Sequence, residues 1–415
     1  MKNFKLLAYY LPYLILVIVL TPTLCHISDR QCWIDWAQFQ HRHGISNTYR
    51  GWSDYLPLYH YVLNIYAKLN GNLDAIAENI NRLKYITILF ELSSTIILFH
   101  LLKAKFEDYY KSLYFSLFYF LNIAVLFNSV IWGQVDGIMT FFVFASIIAG
   151  FKNKPVFALM LFVLAVNMKL QSIIFLPLLM YILALHFEKR TIFKYILGVG
   201  LAFVLQFVII LPFYLNGDFE AMLQVIINSK GKYPVISMNA YNIWGILLDN
   251  RYFFKPDTLS FWGLNYNLWG LIFFFVSSFL ILVFPLFRVI NTLFRDRKQE
   301  INLNEILIIG ALIPLFFFFF NTQMHERYVH PALIFITAFG MLNRKILIII
   351  IPSVAYILNL EGAAHIFNLT NYGTLIFTPR FVAILYLITI ILLFYELFKL
   401  QKSLFNNFKE PTDVV

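Results

Sequence analysis

The chain has 415 residues, of which 60% are hydrophobic and 13% charged, about half the charged share of an ordinary soluble domain. No water-soluble core could hide so much apolar surface, so lipid must be the solvent for most of the chain. The formal charge of +10 reads as cytoplasmic Lys and Arg flanking membrane spans rather than as a nucleic-acid surface. Two cysteines exclude a disulfide framework or a Cys-rich metal site, leaving open whether Cys25 and Cys32 pair.

The elements expected from this composition are apolar helices long enough to cross about 30 Å of hydrocarbon. Lys2 and Lys5 before the run Leu6 to Leu20 resemble a secretory leader. No small-residue cleavage site follows, so an uncleaved first span is expected. Further runs lie near 80–102, 111–129, 136–151, 155–168, 171–187 and 192–215, then 264–287, 302–320, 331–343, 346–360 and 381–400. The expected fold is therefore all-α: a single polytopic membrane unit over 1–415, with about twelve spans. With the N-terminus inside, alternation puts Lys103, Lys105, Lys111, Lys152, Lys154, Lys189, Arg190 and Lys194 on the inner side. Arg288, Arg295, Arg297, Lys298, Arg344, Lys345, Lys399, Lys402 and Lys409 follow them there. That is the positive-inside pattern, with both termini cytoplasmic. Large outer loops are expected at about 25–79 and 216–263, carrying short interfacial helices.

The outer loops collect the polar chemistry. Ser28 and Gln31 have the spacing of a capping box, which would put Asp29 in the first turn of a helix. There the helix dipole and free amides keep a carboxylate ionised, able to serve as a base or bind a cation. A plain cap is the competing reading, and Asp35 is a rival carboxylate. Trp33 and Trp36 on one face would suit the membrane interface. Asp54 stands before Pro57, a usual residue at a helix start, and could be only a cap. Gln134 and Asp136 interrupt an apolar stretch, as do Asn167, Lys169 and Gln171. Polar groups at that depth usually line a cavity, although Asp136 could cap the next span and Lys169 could snorkel. His325, Glu326 and Arg327 are adjacent at the mouth of a span. Together they suit an anion, Arg327 offering a bidentate fork to phosphate. A second His is missing from any zinc helix motif here, so no metal is expected.

These motifs, in this order, resemble the GT-C glycosyltransferases, multi-spanning enzymes that use polyprenyl-phosphate-linked sugars. The likeness is greatest to bacterial mannosyltransferase-type members and to the glucosyltransferases of the dolichol pathway. It rests on four stretches covering nearly the whole chain. They are Asp29 with Trp36-Ala37 and then Asp54 to Tyr59; Trp132 to Asp136 with Lys169, Gln171 and Pro177; Ser237 to Trp244; and Met324 to Tyr328. Leu56 stands where the family often has Pro. The adjacent acidic pair of some first-loop motifs is absent, so Asp29 and Asp35 both remain candidates for the base.

The resemblance implies inverting, metal-independent and cofactor-free transfer of a hexose from a polyprenyl-phosphate donor to a glycan, lipid or protein acceptor. Asp29 would be the general base and Asp54 would help place acceptor or sugar. His325 and Arg327 would hold the phosphate, with Gln134, Asp136, Lys169 and Asn239 in the pocket. Composition fits an AT-rich bacterium, hence the plasma membrane with the site facing the periplasm, although a lumenal enzyme has the same topology. A lipid-sugar flippase would also need buried polar groups but should show repeats, and none is found. A polysaccharide polymerase or ligase would share the lipid-linked substrate.

Overall fold

The structure is a computed structural model that describes residues 2–21, 26–229, 231–248, 250–295 and 300–409. Cys25, Arg297 and Lys298, which entered the expectations above, lie outside them. The apolar runs anticipated from the sequence are mainly helical, although the run from 264 begins in a strand and that of 111–129 breaks after Phe120. Among the described residues, strand is confined to the hairpin Ser260–Phe261 and Leu264–Asn265.

Among the described residues, six helices are long and apolar enough to cross a membrane: Ile80–Phe106, Lys189–Leu215, Tyr266–Thr292, Leu303–Phe320, Ile346–Ala364 and Pro379–Asn406. The pair Tyr109–Phe120 and Ile123–Trp132, bent by 46°, makes a seventh if it acts as one span. Lys5–Val19, Asp136–Phe151, Pro155–Met168, Leu170–His186 and Ala332–Leu342 are apolar but shorter. The expected dozen thus divides by length. At 1.5 Å per residue, eleven residues reach about 17 Å, well short of the hydrocarbon thickness. Apolarity has a second cause in this fold: every residue of Ala332–Leu342 is buried, so protein rather than lipid surrounds it. Leu303–Phe320 is likewise central, whereas Lys189–Leu215 and Tyr266–Thr292 bury only 17% of their most apolar window and face outward.

Helix breaks have local causes. The Asn122 side chain accepts from the Ala124 amide and starts a new helix after Leu121. That helix runs into the π-helical turn Phe127–Trp132, which ends at Gly133 with φ 85. An L-residue there would be strained, and its Cβ would also meet the Lys84 side chain at 2.9 Å.

The two large loops lie at the same end of the bundle. Arg50 Nε donates to Asp218 Oδ1 at 2.7 Å, Asn216 Nδ2 donates to Asn47 Oδ1 at 2.8 Å, and Lys232 pairs with Asp54. Opposite them, Arg288 Nη1 donates to Glu305 Oε2 at 2.6 Å and to the Tyr181 hydroxyl at 2.7 Å, while Lys345 pairs with Glu396.

Two local expectations fail. Ser28 and Gln31 form no capping box. Ser28 Oγ bonds His26 Nδ1 at 2.8 Å, and Gln31 Nε2 reaches forward to Asp35 Oδ1 at 2.8 Å. Both side chains find nearer polar partners than the amides of the first turn. Trp33 and Trp36 are buried rather than interfacial. Trp33 meets Tyr59 edge-on, and Trp36 packs on Trp52, Tyr55 and His60.

Cysteine labelling in sealed cells tests the sidedness inferred from the basic residues. In a cysteine-free background, Arg42→Cys should react with an impermeant reagent from outside. Arg344→Cys should react only after permeabilisation. The reverse pattern would invert the topology.

Candidate functional site

Helix Ile27–His43 starts at His26 and carries Asp29 in its first turn, as expected. Its amphipathic face packs on helix Pro57–Asn70, which begins with Pro57 at its first position. Leu56, not Asp54, is the residue before that helix, and Asp54 is no cap. This packing sets Asp29 against the break between the π-helical turn and helix Asp136–Phe151.

Asp29 is surrounded by donors. Trp132 Nε1 and Gln134 Nε2 both donate to its Oδ2, at 2.8 and 2.6 Å. His26 Nδ1 is 3.4 Å from the same oxygen, and the His26 ring stacks on Trp132. Burial acts to raise the Asp29 carboxyl. The His26 bond, the Arg327 charge and the Trp132 bond outweigh it and hold the group well below the usual carboxylate range. Asp35, about 240° further round the helix, is exposed and bound by Gln31.

A cavity of about 1140 Å³ opens at this end, lined among others by Asp29, Asp54, Lys169, Asn239, His325 and Arg327. Six of the eight candidate residues therefore converge. Gln134 and Asp136 do not line it. They are fully buried one layer behind the wall, Gln134 holding Asp29 from the rear. Asp136 opens its helix without capping it, and its Oδ1 accepts from Lys169 Nζ at 2.5 Å. The ammonium sits 5.0 Å over the Tyr328 ring, so Lys169 is turned into the protein and does not snorkel.

Arg327 Nε stands 3.9 Å from Asp136 Oδ2, and Nη1 donates to Glu326 Oε1 at 2.8 Å. No hydrogen bond occupies Nη2 among the described residues, which leaves that donor for a ligand. Burial raises the Glu326 carboxyl despite Arg327 beside it. Burial also drives the His325 imidazole well below its usual value, helped by Arg327 and Lys169. His325 is therefore neutral at physiological pH.

Asn239 has φ 63 and bridges His325 through the backbone. Asn359 fixes this turn, donating to the Asn239 carbonyl at 2.7 Å and accepting from the Tyr241 amide at 3.0 Å.

Sequence reasoning passed over several residues. His26 and Trp132 were visible in their motifs, but nothing in the spacing said that they bond Asp29. Lys232, which pairs with Asp54 and lies 5.8 Å over Trp52 and 5.4 Å over Tyr233, carried no local signal at all. Glu91 did carry one, as an acidic residue deep in an apolar run.

Among the described residues no group of three or more His, Cys, Asp or Glu is placed to hold a metal ion. No protein-family model matches the chain, and no curated protein is significantly similar to it.

His60 anchors the first loop beneath the cavity. Gln40 Nε2 lies 2.9 Å from its Nδ1, and Ser53 Oγ lies 2.7 Å from its Nε2. An amide nitrogen only donates, so Nδ1 accepts and the proton sits on Nε2. Burial lowers this imidazole to about 3, against the backbone bond at Tyr55. Between about pH 6.5 and 3 the unfolded chain then binds a proton that the native state refuses, so stability falls as pH drops. Thermal stability in detergent should decline from pH 7.5 to 5, and His60→Gln should flatten the decline. One group can supply up to about 1.4 kcal/mol per pH unit. An unchanged slope in His60→Gln would refute the assignment.

Proposed function

We propose that this protein is a GT-C-type glycosyltransferase that moves a hexose from a polyprenyl-phosphate donor to an acceptor hydroxyl, by inversion and without a metal. The observation that carries the reading is one cavity holding both an ionised carboxylate, Asp29, and an unspent guanidinium donor, Arg327 Nη2. Displacement at a sugar needs that combination: a base for the entering hydroxyl and a cation for the leaving phosphate. The motif resemblance supplies the substrate class. The cavity exceeds the usual range for one small ligand, about 300–1,000 Å³, in keeping with two substrates.

In the proposed step the acceptor oxygen attacks the anomeric carbon while the bond to the phosphate oxygen breaks. Asp29 takes the hydroxyl proton, and the charge gathering on the departing polyprenyl phosphate is met by Arg327 and neutral His325. Asp54 orients acceptor or sugar from the rim. Lys169 and Asn239 shape the wall, while Gln134 and Asp136 hold Asp29, Lys169 and Arg327 in place from behind. About twelve crossings, both termini cytoplasmic and the cavity on the periplasmic face of a bacterial plasma membrane complete the reading. The shorter apolar helices then cross where the bilayer thins locally or where flanking residues snorkel to the interface. A polyprenyl donor must stay in the bilayer, and a cavity beside the ends of the spans suits it.

The direct test is to offer the purified protein radiolabelled polyprenyl-phosphate hexoses and measure release of polyprenyl phosphate. No release with any donor would sink the reading.

Asp29→Asn should fold and bind donor yet lose about 10² to 10⁴ in turnover, because it keeps shape and removes the proton acceptor. Asp35→Asn should remain active. Loss in Asp35→Asn with activity in Asp29→Asn would transfer the role to Asp35.

Arg327→Ala should lose donor affinity and turnover together. Arg327→Lys should recover little, remaining at least about tenfold below wild type, since a point charge does not replace a planar fork. Wild-type behaviour in Arg327→Lys would exclude that geometry.

A further inference from the structure

Glu91 lies in helix Leu83–Phe106 and is 2% exposed. A carboxylate at membrane depth is costly unless donors surround it. Three separate segments supply them. The Tyr119 hydroxyl donates to Oε2 at 2.6 Å, Ser129 Oγ donates to Oε1 at 2.7 Å, and His330 Nε2 donates to Oε1 at 3.0 Å. Helix Asp136–Phe151 approaches so closely that a Cβ on Gly137 would lie 2.3 Å from Glu91 Oε1.

Two of these bonds reach segments that contribute Trp132 and Arg327 to the lining of the cavity. Ser129 sits in the π-helical turn three residues before Trp132, and Trp132 and Gln134 hold Asp29. His330 follows Arg327 by three residues, and its amide donates to the Arg327 carbonyl at 3.0 Å. Since a carboxylate only accepts, His330 Nε2 carries the proton shared with Glu91. Its Nδ1 faces the Tyr356 hydroxyl at 3.3 Å, and that hydroxyl is 3.5 Å from the Arg327 carbonyl.

We propose that Glu91 is a positioning residue that ties the segment holding the Asp29 carboxylate to the segment holding Arg327, fixing their separation from inside the membrane. Its structural part stands on these bonds alone; its catalytic part rests on the function proposed above. The geometry gives it two separable arms. Ser129 serves the Asp29 side and His330 serves the Arg327 side. A side chain that merely fills space would not show this division.

The test reads amide hydrogen exchange over 127–135 and 322–331 in the purified detergent-solubilised protein. Alongside it, turnover and donor KM are measured with radiolabelled polyprenyl-phosphate hexose. Ser129→Ala should speed exchange about five- to tenfold in the first stretch only, lowering turnover with KM kept. His330→Leu should speed it in the second stretch only and raise KM. Glu91→Leu should do both. Glu91→Gln should stay near wild type, because its carbonyl oxygen still accepts from Ser129 and His330 while its amide donates to the Tyr119 oxygen. Equal loosening of both stretches by Ser129→Ala and by His330→Leu would overturn the proposal. So would a Glu91→Gln as damaged as Glu91→Leu. A wild-type protein that releases no polyprenyl phosphate but keeps the divided exchange pattern defeats the glycosyl-transfer reading and leaves the tie intact.

Discussion

A carboxylate at the rim of a bilayer stays charged only where donors surround it, and Asp29 has them because a span breaks. The helix through Leu126 widens into a π-helical turn and stops at Gly133. That stop turns the Trp132 indole and the Gln134 amide toward a helix 103 and 105 residues earlier in the chain. A continuous helix would keep those groups on its own surface and leave Asp29 with His26 alone. Non-helical backbone at membrane depth is tolerated only where protein or a cavity meets it. The same break therefore ties the first loop to the bundle at the wall of the cavity.

The wall and the layer behind it are arranged around charge compensation. Three carboxylates, Asp29, Asp136 and Glu326, stand with two cations, Lys169 and Arg327. Asp136 is committed to Lys169, and Asp29 to the Trp132 indole and the Gln134 amide. The excess negative charge falls on Glu326, which burial makes easiest to protonate. A proton on Glu326 would balance the wall and weaken its hold on Arg327 Nη1. An arriving phosphate could then take both amino groups of the guanidinium.

Much of this was legible in the residues, and the failures have physical causes. The apolar runs are mainly helical because period and length are local properties. How many cross lipid is not local: Ala332–Leu342 is as apolar as any span, yet protein encloses it. Helix phase says that Asp29 and Asp35 point to different faces, six residues apart, but which of them meets the cavity is set by packing in space, which turns Asp29 toward it. The capping box failed because His26 and Asp35 offered closer partners to Ser28 and Gln31. Lys169 was ambiguous because snorkelling and pairing require the same residue, and only Asp136 in space decides between them. Lys232 meets Asp54 across 178 residues, a distance over which one sequence carries no pairing signal.

The depressed Asp29 carboxyl constrains any chemistry assigned to it. A general base works best with a pKa near the working pH, and this one lies far below. Such a base cannot pull a proton from a resting hydroxyl. It can take one from a hydroxyl already bonding to an electron-poor carbon, which is far more acidic. That timing matches a dissociative sugar transfer, in which the phosphate bond is largely broken before the new bond forms. A phosphate anion in the cavity would also push the Asp29 carboxyl upward by like-charge repulsion, making the base stronger when donor is bound. On the proposed function, the donors on Asp29 keep it a weak base in the empty site, and the substrate's own charge brings it toward its task.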